Sequence, residues 1–123
     1  MKFTKHEDLE VYQLAFKAAM TIFEISLSFP KEEKYSLTDQ IRRSSRSVCA
    51  NIAEAFYRRK YPKNFSSHLS DAIAESGETR VWLDFSHNCN YLNAEIKDKL
   101  CDDYSKIIGK LITMCNQAEK WTL

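Results

Sequence analysis

Turn-forming residues are scarce in this chain, which has only two glycines and two prolines in 123 residues. A strand-and-turn architecture needs many more, so their scarcity excludes most β-sandwich and barrel folds and favours long helices joined by short links. The four cysteines, Cys49, Cys89, Cys101 and Cys115, are scattered with no C-x-x-C pair. In a chain without a signal peptide, that spacing predicts reduced cytoplasmic thiols. No apolar run approaches the roughly 20 residues of a membrane span. The net charge of +1 leaves no global polycation. At this length one domain, residues 1–123, holds a core without staples.

What is present is a long uninterrupted stretch from Tyr35 to Lys60. Leu37, Ile41, Val48, Ile52 and Phe56 recur at helical spacing and need a core. Gln40, Ser44, Ser47, Asn51, Glu54 and Arg58 recur at alternating steps of four and three. That is a heptad-like seam, made of small and hydrogen-bonding residues instead of leucines. Arg42, Arg43 and Arg46 take the remaining side. Ser36 is the predicted cap, with Asp39 three residues on, and Tyr35 the staple residue before it.

A first helix is predicted from Asp8 to about Ser28. Leu9, Tyr12, Phe16, Met20, Phe23 and Leu27 form one apolar face, while Val11, Leu14, Ala15, Ala18, Ile22 and Ile25 cover much of the rest. A small bundle needs an apolar arc of about 100° per helix. This helix exceeds it, which predicts burial of Val11, Leu14, Ile22 and Ile25 against a second copy. Pro30 stops the helix, and Pro62 opens a third one. The third carries a core stripe of Phe65, Leu69, Ala72, Ser76, Thr79 and Leu83. Gly77, beside Ser76, predicts close approach of another helix. Asn93 caps a fourth helix running to about Lys120, with Ile96, Leu100, Tyr104, Ile107, Leu111 and Met114 on one face. Trp121 is a candidate anchor for the tail. Four helices of about 20 to 27 residues imply rods of roughly 30 to 40 Å, and short links make neighbours antiparallel. The expectation is all-α: an antiparallel up-down-up-down four-helix bundle that self-associates.

Charge is unevenly spread. Between Leu37 and Lys63, Arg42, Arg43, Arg46, Arg58, Arg59, Lys60 and Lys63 face only Asp39 and Glu54, a local excess of +5. Arginine's planar fork suits phosphate, so this set is the candidate nucleic-acid-binding surface for RNA or DNA. The competing reading pairs these cations with Asp71, Glu75, Glu78 and Asp84 of the third helix. The seam residues Gln40, Ser44, Ser47 and Asn51 are candidates for the oligomer interface. Ser44, Ser45 and Ser47 have no histidine at helical distance, so no activated nucleophile is evident. Asp84 and His87 supply half of a di-iron set without its second half, and His87 with Cys89 and Cys101 has no zinc spacing. No cofactor or metal is implied. Trp82, Phe85 and Tyr91 suit packing better than base stacking.

Phe29-Pro30-x-Glu32, Tyr35-Ser-Leu-x-x-Gln40-Ile41-Arg42-Arg43-Ser44 and Ser47-Val48-x-x-Asn51-Ile52-Ala53-Glu54 together resemble a family of small bacterial four-helix-bundle proteins. Asp8-Leu9-Glu-Val-Tyr12 and Glu78-Thr79-Arg80-x-Trp82-Leu83 are similar too. Some members are encoded in intervening sequences of 23S ribosomal RNA genes; others are accessory variability determinants of diversity-generating retroelements. The resemblance implies a ring-shaped homopentamer without catalysis. It also implies a reverse transcriptase or nucleic acid as partner. Where the family commonly has glycine after Asn-Ile-Ala-Glu, this chain has Ala55, so the second helix is expected to run straight to Arg59.

Overall fold

The computed structural model describes residues 3–121. Four long helices account for most of them: α1 (Glu10–Ser26), α2 (Leu37–Tyr57), α3 (Pro62–Asn88) and α4 (Ala94–Asn116). Single 3-10 turns stand at His6–Asp8 and Lys31–Glu33, and a short α5 (Ala118–Trp121) closes the chain. No strand is present among the described residues.

Each helix touches its neighbours in sequence, and α1 closes the circle against α4. Cross-contacts fix the directions. The start of α1 meets the end of α2, where the His6 ring lies 3.0 Å from the Tyr57 hydroxyl. Further along, Asn51 of α2 meets His68 of α3 at 3.3 Å. Asp84 of α3 pairs with Lys97 of α4 at 3.3 Å, and Lys110 of α4 pairs with Glu10 of α1 at 2.5 Å. Every pair is therefore antiparallel, as short links require.

The helices end for local reasons. Asn93 accepts the Ile96 amide proton at 2.8 Å, capping α4 as expected. Pro62 occupies the first turn of α3, where its missing N–H costs nothing. Asp8 does not open α1; its carboxylate accepts from the Thr4 amide at 2.9 Å and closes the preceding 3-10 turn. Nor does Ser36 cap α2 with its side chain. Instead Glu33 accepts both the Ser36 hydroxyl at 2.6 Å and the Leu37 amide at 3.3 Å, so a carboxylate from the turn before supplies the acceptor. Tyr35 is 86% exposed and staples nothing. The second helix stops at Tyr57, short of Arg59, where the Arg58 amide reaches Glu54, Ala55 and Phe56 carbonyls and the last turn tightens. The fourth helix likewise breaks at Gln117. Trp121 anchors the tail by stacking on Phe3 and Phe65, at 5.3 and 6.2 Å between ring centroids.

The core follows the α2 and α3 stripes without exception. Leu37, Ile41, Val48, Ile52 and Phe56 are buried against Phe65, Leu69, Ala72, Thr79 and Leu83. From α4 come Leu100, Tyr104, Ile107, Leu111 and Met114, while Ile96 sits at the exposed end. The first helix turns the other way from its expected phase. Its core side is Val11, Ala15, Ala18, Ala19, Ile22 and Ser26. Val11 and Ile22 are thus shut inside the protomer, and Leu14 and Ile25 pack half-buried against the same core. Alanines at 15, 18 and 19 let α1 come close, which the bulkier Phe16 and Met20 on the opposite side would not. Those two stand in solvent, 51% and 44% exposed. The surplus apolar surface exists, but on the Phe16–Met20 side.

Candidate nucleic-acid interface

The seven cations do not form one face. They divide into three settings along α2. Arg42 and Arg46, one turn apart, lean toward α1, where their guanidinium carbons lie 4.9 and 6.0 Å from the centre of the Phe23 ring. Arg42 Nε also donates to Ser26 Oγ at 2.8 Å, and that hydroxyl in turn donates to the Phe23 carbonyl at 2.8 Å. Ser26 is buried, so the bond anchors the arginine stem while its outer nitrogens remain available.

Arg43 is exposed in a groove of about 630 Å³ that Arg46 also lines, together with Gln40, Ser47, Glu75 and Glu78. Partial burial raises the Glu75 carboxyl above its ordinary value, and the charges of Glu78 and Asp71 add to this, while Arg43 opposes them. Across this groove charge is mixed. Yet no ion pair within 4.0 Å joins Arg42, Arg43 or Arg46 to any carboxylate among the described residues. Asp84 pairs with Lys97 instead, and Asp71, Glu75 and Glu78, though Glu75 feels the charge of Arg43, form no ion pair within 4.0 Å among the described residues.

The third setting is the α2–α3 turn. Arg58 pairs with Glu54 at 3.5 Å, both exposed, an arrangement worth little. Arg59 folds back, donating to the Phe56 carbonyl at 2.9 Å with its guanidinium 3.9 Å from that ring centre. Lys60 lies over Tyr61 at 5.9 Å, and Lys63 is exposed on the first turn of α3. Arg58 follows Arg46 by twelve positions, roughly 18 Å at the helical rise. The basic surface is therefore two patches, one of Arg42, Arg43 and Arg46 on α2 and one from Arg58 to Lys63 at the turn, with a gap between them.

Of the polar seam, Ser44 alone is fully shut in; Gln40, Ser47 and Asn51 are half-buried, and Glu54 and Arg58 are exposed. Ser44 is buried, and its hydroxyl lies 2.8 Å from that of Thr79 on α3. Asn51 donates to the Ser47 carbonyl at 3.0 Å and meets His68. Ser44 and Asn51 thus register α2 against α3 inside the protomer, while Gln40 and Ser47 stay half-buried on the wall of the Arg43 groove. Small hydroxyl side chains permit that close approach and satisfy each other in the dry interface.

Among the described residues no group of His, Cys, Asp and Glu converges as a metal site would. His87 bonds the Leu92 carbonyl at 3.2 Å, turning away from Asp84's ion pair. No described helix is long and apolar enough to cross a membrane. Sequence reasoning missed Phe23 and Ser26 as the supports of Arg42, because nothing in the spacing of α1 marks which ring an arginine 19 residues later will cover.

These features define a class: a small antiparallel four-helix protomer with half-anchored arginines on its second helix. The chain belongs to the 23S rRNA-intervening sequence protein family, whose model matches residues 7–113. It is similar to a crystal structure of a protein with unknown function from the S23 ribosomal protein family of Bacteroides thetaiotaomicron. That protein is 27% identical, with a TM-score of 0.78 over 86% of this chain and 95% of the other. No curated protein matches.

Proposed function

We propose that this protein is a non-enzymatic, self-associating cytoplasmic scaffold. It binds nucleic acid, or an enzyme that acts on nucleic acid such as a reverse transcriptase, through its α2 arginines. One observation carries the reading: among the described residues no carboxylate lies within 4.0 Å of Arg42, Arg43 or Arg46 in an ion pair. Aromatic and hydroxyl supports hold Arg42 and Arg46 without neutralising them. Such cations gain most from phosphate, which binds two guanidinium nitrogens and releases counterions. The described family makes structured RNA from a 23S intervening sequence the first ligand to try. In a ring of copies, with a pentamer as the working arrangement, each patch repeats and the field grows.

The test is anisotropy of labelled structured RNA against rising salt. Affinity falling steeply with salt, with a slope reduced by about 0.9 per lost phosphate contact, is expected. Arg43→Glu with Arg46→Glu should weaken binding more than tenfold while the helical content stays. Absence of binding at low salt, or indifference to the double variant, overturns it.

A second reading has its own support. Asp71, Glu75 and Glu78 form no ion pair within 4.0 Å among the described residues, so the arginines of one copy complement this stripe on another. The protein is then a structural module without nucleic-acid binding. Under that reading Arg43→Glu breaks the assembly, and Glu75→Arg with Glu78→Arg restores it. Under the first it does neither.

A further inference from the structure

At the far end of the bundle from Arg58, the Lys31–Glu33 turn and the first turn of α2 meet the last third of α3 around an open pocket of about 440 Å³. Three of its walls are aromatic: Tyr35, Trp82 and Phe85. Phe85 is 54% exposed, and Trp82 and Phe85 lie 6.0 Å apart, tilted at 37°. Beside the rings stands Glu33. Its carboxylate accepts from the Ser36 hydroxyl, the Leu37 amide and the Tyr91 hydroxyl at 2.9 Å. All three donors are neutral, and among the described residues no cation pairs with it within 4.0 Å. Those bonds hold the carboxyl below its usual range, the Ser36 hydroxyl first and then that of Tyr91.

A fixed, ionised carboxylate beside exposed aromatic faces is a place for a cation. Ring faces are negative, and a desolvated cation over tryptophan or phenylalanine gains from them. The chain itself shows the tendency at the rim, where the Lys34 ammonium stands 5.3 Å from the Tyr35 ring centre. Lys34 lies on the outer side and does not reach Glu33. Among cationic groups a guanidinium fits best, because its plane stacks on a ring while its fork faces a carboxylate. An anion is repelled by Glu33. A purely apolar side chain leaves that charge uncompensated.

We infer that the Glu33–Trp82–Phe85 pocket receives an arginine side chain presented by a partner protein. This surface is independent of the α2 arginines and of any nucleic-acid role. It makes the molecule two-ended: guanidinium-accepting at the α3 C-terminal end, guanidinium-bearing along α2.

The probe is Nα-acetylarginine amide, with the uncharged isostere Nα-acetylcitrulline amide as control. Binding is followed by the indole N–H resonance of Trp82, assigned with Trp82→Phe. The arginine compound should shift it saturably; citrulline should not. Glu33→Gln, which keeps the hydrogen-bonding shape, and Phe85→Leu, which keeps the apolar bulk, should each weaken binding by about threefold or more. Equal shifts from both compounds, no saturation, or indifference to both variants overturns the inference. Light scattering covers the remaining occupant: a fall in molar mass with Glu33→Gln means that a second copy fills the pocket, which also overturns it.

Discussion

Two buried hydroxyls show how differently the same group acts in different company. Thr79 Oγ1 lies 2.8 Å from Ser44 Oγ and 2.9 Å from the Glu75 carbonyl, so it is fully used. Ser44 has otherwise only a long 3.4 Å approach to the Ile41 carbonyl. Thr79→Val should therefore cost about 1 to 2 kcal/mol in chemical denaturation, by leaving Ser44 unsatisfied. Ser44→Ala, which leaves Thr79 its carbonyl, should cost less, and the double variant less than the sum. Tyr104 is the opposite case. Its ring is fully buried, and its hydroxyl has no hydrogen-bond partner among the described residues. Tyr104→Phe removes an unsatisfied group without leaving a hole, so it should be neutral or stabilising by up to about 1 to 3 kcal/mol. Burial also governs the thiols. Cys49 is buried and its thiol is pushed up to about 11, whereas Cys89 is exposed. At pH 8 a disulfide reagent should modify Cys89 quickly and leave Cys49 until the protein unfolds, because thiolate is the reactive form.

Helix by helix, what the sequence revealed depended on contrast between faces. The stripes of α2 and α3 are flanked by charge, so their phase was legible and every member is buried. The first helix is apolar nearly all round, and periodicity then gives no phase. Its orientation was decided by size: Ala15, Ala18 and Ala19 allow a close approach that Phe16 and Met20 forbid. Capping was legible where the acceptor is local, as at Asn93, and not where it comes from the preceding turn, as at Glu33. The basic excess was legible as a number, but its division depends on which neighbouring helix each arginine meets. Gly77 was expected to admit a close neighbour. Instead a Cβ built there meets nothing within 4 Å, and the same holds at Gly109. Both sit inside helices with ordinary negative φ, so each glycine only loosens the unfolded chain. Gly77→Ala and Gly109→Ala should each add about 0.5 to 1 kcal/mol and raise the thermal midpoint. Loss of stability at Gly77 together with a lower molar mass would instead show another copy occupying that space.

The molecule as a whole hides its core well and yet leaves Phe16 and Met20 in water, with half-buried Tyr12 and Phe23 beside them and a groove running on to Cys49 and Ala53. Contiguous apolar surface of this kind on a small protein marks a contact, because water returns free energy when it is covered. Self-association through this side differs sharply from a role in folding. Phe16→Glu with Met20→Glu changes side chains that touch little, so the protomer's stability should move by about 0.5 kcal/mol or less for each. Ile22→Ala, one turn away but fully buried, should cost about 2 to 5 kcal/mol. Light scattering separates the two: the charged pair should drop the particle to protomer mass with its circular dichroism intact, whereas Ile22→Ala should lower the unfolding midpoint first. A parent protein already at protomer mass would remove self-association altogether, and a charged double variant that keeps an oligomeric parent's mass would place the contact elsewhere. In the first case, the field of repeated arginines that the nucleic-acid reading draws on would shrink to that of one chain.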